Sequence, residues 1–346
     1  MFEANPEANP AANPEANPEA DLAAKPEADL AADLGAKPEA DLAARPEWNG
    51  AIERTVARVA ERRMLGPDAQ VDDKALVIAP DNLASTDPFI ALSEDWFSEP
   101  GFQWHPHRGL ETVTTVVGGV LEHGDNIGNA GALHQGDVQW MTAGRGIIHR
   151  ELAFRNERVH TLQLWLNLPA RSKLVETGYQ DLTAAARPRV TSPGLVIDVI
   201  SGTIGGVTGP AVNQWPVQAC IVSLEPGTAA SYELPASHRA FAYVLAGEVT
   251  VAGRRVRAGQ TAWSHPAAGS SQVPTSSLRL AAPAGAQPAD RPARVMIYSG
   301  EPIGEAVTLG GPFVMNTRAE IEQAFADFHA GRFGPVPRQA RLKYDR

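Results

Sequence analysis

The sequence predicts an all-β protein with two tandem antiparallel β-barrels, a short C-terminal helix and a disordered N-terminal extension. The 346 residues include 31 glycines and 28 prolines, and this proportion favours many turns over long helices. Short β-rich runs, broken by Gly, Pro, Asn and Asp, recur about every ten residues, which is typical of a sandwich or a barrel. The strand-rich region divides into similar halves, at about 67–185 and 186–300, and each repeats the order strand, Gly-centred turn, strand, Gly. This repeat indicates a duplicated barrel.

The predicted extension covers residues 1–48. Ala-Asn-Pro recurs every four residues from Ala4 to Pro18. The sequence Pro-Glu-Ala-Asp-Leu-Ala-Ala then occurs three times, starting at Pro18, Pro26 and Pro38. Prolines at this density interrupt a helix, and one leucine per repeat is too little to form a core. The segment is therefore predicted to be a disordered, solvated acidic tail, with docking to a partner as the alternative.

The net charge of −10 is concentrated in this tail. Eleven acidic and three basic residues lie within 1–50, so residues 51–346 carry a net charge of only −2. A nearly neutral folded part argues against direct nucleic-acid binding and against an anionic membrane surface as partner. We find no apolar stretch of about 18 residues and no basic segment followed by an apolar core, so we expect no membrane span and no signal peptide. A soluble cytoplasmic protein is the resulting expectation.

Individual segments support the β-rich assignment. Residues 113–117 are mostly β-branched, and residues 160–166 alternate polar and apolar side chains, as a half-buried strand does. Residues 248–257 are typical of a hairpin that turns at an Ala-Gly pair. Residues 51–66 fit either a short amphipathic helix or an irregular strand. The single cysteine, Cys220, excludes an internal disulfide and a thiolate metal site, and its apolar neighbours predict a buried thiol.

One helix is predicted near the C-terminus. Thr317-Arg-Ala-Glu320 matches a capping box, in which the threonine and the glutamate satisfy the first backbone N–H groups. An apolar face with helical spacing follows, formed by Ile321, Ala324, Phe325 and Phe328. Gly331 is placed to end the helix. We expect this helix to pack on a sheet.

Six of the nine histidines fall between His105 and His160. Two short patterns stand out there, His105-Pro-His107 and His149-Arg-Glu151. Residues i and i+2 of a strand point to the same face of the sheet, so each pattern presents two ligand atoms on one side. Three neutral imidazoles and one carboxylate form a nitrogen and oxygen set suited to Fe, Mn, Ni, Cu or Zn. Such a set leaves coordination positions open for chemistry.

The spacing around these patterns resembles the two-part motif of the cupin β-barrels. The first part begins at His105 and ends at Gly118. The second begins at Gly136 and ends at His149, with Thr142 where a proline is usual. Longer segments resemble the pirin family within the cupins: Asp-Pro-Phe at 87–89, His-Pro-His-Arg-Gly-Leu-Glu-Thr-Val-Thr at 105–114, the whole of 136–151, and Gly-Pro-Phe-Val-Met-Asn-Thr at 311–317.

This resemblance covers about residues 67–335 and implies a bicupin with iron in the N-terminal barrel. Pirins hold their metal on the positions that match His105, His107, His149 and Glu151. We therefore expect Fe(II) on these residues, with Mn, Ni, Cu or Zn as alternatives. The expected domains are the extension, a metal-binding cupin at 49–185, and a metal-free cupin with the C-terminal helix at 186–346.

The resemblance also implies two classes of function. Some pirins resemble quercetin 2,3-dioxygenases, which implies a small phenolic, flavonol-type substrate that is cleaved with O2 and loses carbon monoxide. Glu151 would then accept the hydroxyl proton of the substrate. Other pirins act as transcriptional co-regulators or modulate metabolic enzymes. The alternative is therefore a metal-containing, redox-responsive regulatory protein that binds a transcription or metabolic partner.

The second half of the sequence lacks metal ligands. When the halves are aligned on their Gly-centred turns, Leu234 falls opposite His105 and Ala236 falls opposite His107. His238 is nearby but out of register, and we expect it at the surface or in a cap. The second barrel is therefore expected to bind no metal.

Several residues near the metal patterns have open roles. Cupins in general use the glutamate at the position of Glu111, whereas the pirin pattern uses Glu151. Glu111 shares a face with His107 only if the strand has no bulge, and we expect it to support the ligands rather than bind metal. His123 is expected on a loop without a role. Three side chains fit either a substrate wall or ordinary core packing: Trp104, Trp140 and Met141.

Overall fold

The computed structural model describes residues 39–41, 52–99, 101–267, 274–285 and 291–337. Most of the predicted extension, residues 1–48, lies outside the described residues, apart from a strand at Glu39–Asp41. The described residues contain two α-helices, α1 (Leu83–Thr86) and α2 (Arg318–His329). No helix in this part of the chain is long and apolar enough to cross a membrane.

Strands make up most of the described chain, and their order along it is as follows. The first fourteen are β1 (Glu39–Asp41), β2 (Ile52–Glu53), β3 (Arg58–Glu61), β4 (Arg63–Met64), β5 (Asp73–Ile78), β6 (Phe89–Phe97), β7 (Phe102–His107), β8 (Leu110–Gly118), β9 (Val120–Asp125), β10 (Ala130–His134), β11 (Val138–Thr142), β12 (Ile147–Ala153), β13 (Val159–Asn167) and β14 (Gly178–Leu182). The remainder are β15 (Arg189–Ser192), β16 (Leu195–Ser201), β17 (Thr203–Ile204), β18 (Val207–Thr208), β19 (Val217–Leu224), β20 (Ala229–Pro235), β21 (Arg239–Ala246), β22 (Glu248–Val251), β23 (Arg254–Arg257), β24 (Gln260–Ser264), β25 (Thr275–Ala281), β26 (Ala293–Gly300), β27 (Thr308–Gly310) and β28 (Phe313–Met315).

The first barrel consists of a seven-stranded and a four-stranded antiparallel sheet. Their strand orders are β14-β11-β8-β13-β6-β5-β4 and β10-β9-β12-β7. The predicted strand at 113–117 lies in β8, and the one at 160–166 lies in β13 beside it. Leu162 and Leu164 are buried, whereas the intervening Gln163 is half-buried, so the predicted alternation is confirmed.

The second barrel consists of an eight-stranded and a five-stranded sheet. The first has the order β1-β15-β16-β19-β26-β21-β24-β3, and the second has the order β2-β25-β22-β23 with β20 also paired to β25. The predicted hairpin is β22 and β23, and its turn residues Ala252 and Gly253 have positive φ values of 44° and 77°. Cys220 is buried in β19, as expected. The prediction of two tandem β-barrels is therefore confirmed.

Aromatic rings form the contact between the barrels. The Phe89 ring on β6 packs edge-on against the Phe241 ring on β21, with centroids 4.9 Å apart. Phe241 also contacts Trp263 and Tyr298, at centroid distances of 5.1 and 5.4 Å. All four side chains are buried, so this contact continues the hydrophobic core from one barrel into the other.

The strands formed by residues 52–61 join the second barrel. Parallel pairing connects β2 to β25, and antiparallel pairing connects β3 to β24. The domain boundaries expected from the sequence place these residues in the first barrel, at 49–185. Their hydrogen bonds instead place them in the second barrel. The buried Arg54 side chain adds to this pairing, because it donates to the carbonyl oxygens of Pro235, Ala236, His238 and His265 in the second barrel.

The C-terminal segment follows the second barrel in sequence but packs on the first barrel. Helix α2 begins with the predicted capping box, ends at His329, and is followed by Gly331 with a φ of 72°. Phe313 and Phe333, on either side of the helix, pack in one cluster with Ile148 of the first barrel. Sequence boundaries group this segment with the second barrel, at 186–346, whereas its apolar contacts lie on the first.

Candidate metal centre

Neighbouring strands bring three of the predicted ligands together. Strands β7 and β12 are antiparallel, and His149 lies directly opposite His105. His107 shares the inward face of β7 with His105 because the two residues are separated by one position. One ring nitrogen from each of these three histidines lies within 4.8 Å of the others.

Hydrogen bonds fix how each ring is turned. His105 Nδ1 is 2.7 Å from the Gln103 carbonyl oxygen, and His107 Nδ1 is 3.2 Å from the Pro312 carbonyl oxygen. A carbonyl can only accept, so both rings carry a proton on Nδ1 and have their lone pair on Nε2. Within the described residues, the buried Nε2 atoms of His107 and His149 have no hydrogen-bond partner. Buried nitrogen lone pairs without partners fit a divalent metal ion.

The electrostatics of the cluster favour neutral imidazoles. Burial, together with the neighbouring His105, lowers the pKa of His107 to about 3. Burial also places the pKa of His149 well below its usual value, with further lowering by the adjacent histidines. Because the neutral ring is the form that binds metal, the cluster is in the ligating protonation state near neutral pH.

Glu151, the fourth predicted ligand, lies outside this group of three nitrogens. The pairing of β12 with β7 has a register shift between His149 and Glu151. The Glu151 carboxylate accepts hydrogen bonds from Thr114 Oγ1 at 2.9 Å and from Gln163 Nε2 at 2.6 Å. Burial raises the pKa of this carboxyl to about 7. Glu151 is therefore close to His149 in sequence, but its carboxylate is hydrogen-bonded to β8 and β13 of the other sheet.

Glu111 has a separate set of contacts. Its carboxylate accepts a hydrogen bond from Thr142 Oγ1 at 2.7 Å, and the two residues lie opposite each other on β8 and β11. Burial raises the pKa of Glu111 to about 7. The threonine that replaces the usual cupin proline thus has a function here, because it supplies the hydrogen bond that the buried carboxyl needs.

His123 contradicts its sequence-based interpretation as a loop histidine. It lies on β9, is completely buried, and has its Nε2 atom 3.1 Å from His149 Nδ1. The sequence contains one usable signal, because Leu121, His123 and Asp125 alternate on one face of a strand. Residues Leu121–Asp125 are buried on both faces of the strand, so they show no regular alternation of polar and apolar side chains that would predict it.

A cavity of about 640 Å³ opens beside the cluster. Its walls include His105, His107, Phe102, Trp165, Leu76 and Gln163. The Trp165 ring stands edge-on to the His107 ring with centroids 5.1 Å apart, so an aromatic wall borders the histidines. The three side chains that fitted either a substrate wall or core packing do not line this cavity. Trp104 packs under the Arg150 guanidinium, and Trp140 and Met141 are core residues.

The corresponding positions of the second barrel hold no ligand set. Leu234 and Ala236 are both buried there, and Leu234 belongs to the apolar core of this barrel. His238 is buried, not at the surface, and its Nδ1 atom is 3.2 Å from Ser299 Oγ. The surface expectation was wrong because the His238 carbonyl accepts a hydrogen bond from Arg54, which covers this end of the barrel.

Comparisons with known proteins agree with this architecture. A family model described as pirin matches residues 70–166, and a second, described as the pirin C-terminal cupin domain, matches residues 220–334. Pirin-like protein 2 from Arabidopsis thaliana is 38% identical over 256 residues, which cover 72% of this chain and 76% of that protein. The chain belongs to the pirin family. Pirin from Homo sapiens is 35% identical over 254 residues, with coverage of 73% and 84%.

A solved structure also resembles this pirin-family chain. A quercetin 2,3-dioxygenase from Acinetobacter baumannii matches it with a TM-score of 0.71 and 28% sequence identity. The match covers 82% of this chain and 99% of the dioxygenase. The predicted family and its two-cupin fold are therefore confirmed.

Proposed function

We propose that this pirin-family protein is a metal-dependent dioxygenase that cleaves a flavonol-type phenol with O2. The observation that carries the proposal is the group of three clustered imidazoles, two of them buried, beside a cavity of about 640 Å³ with aromatic walls. Similarity to a quercetin 2,3-dioxygenase over most of both chains supports the substrate class. A cavity of this size is in the range of small-molecule sites, which span roughly 300–1,000 Å³.

The proposed ligands are His105, His107, His149 and Glu151, and the proposed metal is Fe(II). Three neutral nitrogens and one carboxylate oxygen suit a first-row divalent ion. When bound, Fe(II) would lower the pKa of the phenolic hydroxyl and offer a position to O2. The aromatic walls at Phe102 and Trp165 would hold the planar rings of the substrate against the histidines.

Glu151 is the proposed acceptor of the hydroxyl proton. Gln163 lines the cavity and donates to the Glu151 carboxylate, so one side chain connects this carboxylate to the cavity wall. Gln163 Oε1 also accepts a hydrogen bond from the Trp165 indole at 3.2 Å, so Gln163 contacts both the carboxylate and the aromatic wall. A substrate that moves Gln163 would free a carboxylate oxygen for the proton.

The test is O2 uptake by anaerobically purified, Fe(II)-loaded protein with quercetin and a small panel of phenols. We expect one O2 consumed per flavonol, loss of the flavonol absorbance, and release of carbon monoxide. Metal-free protein and the His105→Ala variant are the matched controls and should be inactive. If the loaded wild-type protein consumes no O2 with any flavonol, the dioxygenase proposal is wrong and the regulatory alternative takes its place.

A further inference from the structure

The three clustered imidazoles differ in what their Nδ1 atoms contact. His105 and His107 each contact a main-chain carbonyl oxygen. His149 instead contacts a side chain, the Nε2 atom of His123, at 3.1 Å. A carbonyl oxygen can only accept a hydrogen bond, whereas an imidazole nitrogen accepts or donates according to its tautomer. The tautomer of His149 therefore depends on that of His123.

Only one arrangement of protons is compatible with metal binding at His149. A metal on His149 Nε2 needs the lone pair there, so the single proton of the neutral ring lies on Nδ1. This N–H donates to His123 Nε2, and His123 must then carry its own proton on Nδ1. In the opposite tautomer His123 donates from Nε2, the His149 proton moves to its Nε2 atom, and the neutral ring has no lone pair for a metal.

The surroundings of His123 hold the ring in place. It is buried on β9, between β10 and β12, with its centroid 4.8 Å from the Tyr179 ring. The Tyr179 hydroxyl accepts a hydrogen bond from Gln139 at 3.2 Å. In the described part of the chain His123 Nδ1 has no hydrogen-bond partner, so no other contact there selects its tautomer.

We propose that His123 is a positioning residue of the metal centre, which accepts a hydrogen bond from His149 and thereby directs the His149 Nε2 lone pair toward the metal. The inference rests on the metal centre of the proposed function and adds a residue to it. Because the partners of His105 and His107 are main-chain atoms, His123 is the one partner of the three that a side-chain substitution removes.

A direct test measures the histidine tautomers by long-range 1H–15N NMR of the wild-type protein loaded with Zn(II), which is diamagnetic. We expect His149 and His123 both to carry their proton on Nδ1. A His123 proton on Nε2 in the zinc-loaded protein overturns the proposal. If Zn(II) does not bind the three histidines at all, the metal centre fails and this inference fails with it, whereas bound zinc with the wrong tautomer rejects only the inference.

Substitutions supply the second test, with Zn(II) affinity measured by competition with a chelator. His123→Leu removes the acceptor, and we expect a loss of about 10–100-fold, the usual effect of losing the partner of a ligating histidine. His123→Gln keeps an acceptor oxygen and should recover most of the affinity. His134→Leu, at an exposed position of β10 in the same sheet, is the control and should bind as wild type does. Wild-type affinity in a folded His123→Leu protein contradicts the proposal, and the thermal midpoints of the metal-free proteins show whether each variant folds.

Discussion

At the scale of single residues, the two buried glutamates of the first barrel are distinguished by their partners. Glu151 bonds to Gln163, which lines the cavity, whereas Glu111 bonds to Thr142 across a strand pair. Both side chains are buried, and burial raises the pKa of each carboxyl to about 7. The two carboxyls therefore have similar pKa values, and they differ in that only Glu151 is hydrogen-bonded to a residue that lines the cavity.

We predict that Glu151→Gln loses far more activity than metal. The amide can still offer an oxygen, but it cannot accept the proton of the substrate, and general-base contributions are typically about 10²–10⁴-fold in kcat. Glu111→Gln should cost less, about 10–100-fold at most, because it changes only a supporting hydrogen bond. Metal content and kcat are measured on the same preparations. A larger loss in Glu111→Gln than in Glu151→Gln would mean that the two carboxylates have the reverse roles.

A second prediction separates the histidines of the two barrels. His107→Ala should abolish metal binding because its unpartnered Nε2 is one of the three clustered nitrogens. His238→Ala should leave the metal content unchanged because His238 bonds to Ser299 and is not part of the histidine cluster found in the described residues. Elemental analysis after loading with Fe(II) decides the point. Loss of metal in His238→Ala alone would show that the centre lies in the second barrel.

At the scale of elements, the turn after β7, the strand that contains His105 and His107, is closed by β28. The Lys173 ammonium donates to the carbonyl oxygens of Gly109 and Val314, at 2.8 and 2.9 Å. Gly109 has a φ of +77°, and a Cβ atom there would lie 2.1 Å from the Val314 carbonyl oxygen. This close approach requires glycine, and it explains how the C-terminal segment can supply the Pro312 carbonyl to His107.

We predict that Gly109→Ala destabilises the protein by about 2–5 kcal/mol, the sum of the left-handed backbone and the steric overlap. The matched control is Gly66→Ala, because Gly66 has a φ of +76° and no atom within 4 Å of the added Cβ. The control should lose only about 1–2 kcal/mol, the backbone contribution alone. Thermal or denaturant unfolding gives both values. Equal losses in the two variants would show that the contact with β28 contributes nothing.

At the scale of the whole molecule, each barrel is completed by chain from the other end of the sequence. Strands β2 and β3 precede the first barrel and pair within the second, whereas helix α2 follows the second barrel and its flanking residues pack on the first. The barrels also share the aromatic contact around Phe241. We therefore expect the two barrels to unfold together, since neither has all of its contacts without the other.

The substitution Arg54→Met tests whether the segment that contains β2 and β3 stabilises the second barrel. The substitution removes the guanidinium hydrogen bonds to four carbonyl oxygens of the second barrel, although three of these oxygens keep a second donor. Because hydrogen bonds to a charged group contribute about 1.5–3 kcal/mol each, we expect the loss to be about 3 kcal/mol and the midpoint to fall by several degrees. Arg58→Met is the control, because the Arg58 guanidinium lies over the Trp263 ring, at 5.1 Å, a contact worth about 0.5–1 kcal/mol. The metal content should be unchanged in both. A midpoint for Arg54→Met at or above that of the control would contradict this role.

The metal stoichiometry is a further prediction for the whole molecule. The first barrel contains the three-histidine cluster of the described residues, and the matching positions Leu234 and Ala236 of the second barrel are apolar. Anaerobic loading with Fe(II) should therefore give about one metal ion per chain. Two equivalents, or none, in elemental analysis would reject this map of the site.

The sequence by itself determined the fold class, the family and the three clustered histidines. Strand periodicity and Gly-centred turns are local properties, so two barrels could be predicted without coordinates. His105 and His107 share a strand face by their spacing, and His149 follows from a motif of defined length. Helix α2 was predictable for the same reason, because a capping box and an apolar face are encoded within a dozen residues.

Only the tertiary structure decided which distant groups meet. The contact of His123 with His149 depends on the pairing of β9 with β12, and the contacts of Glu151 depend on the opposite sheet. The position of Arg54 in the second barrel joins residues about two hundred positions apart in sequence. No local pattern records such a contact, because its partner is set by how the sheets close and not by the spacing of neighbouring side chains.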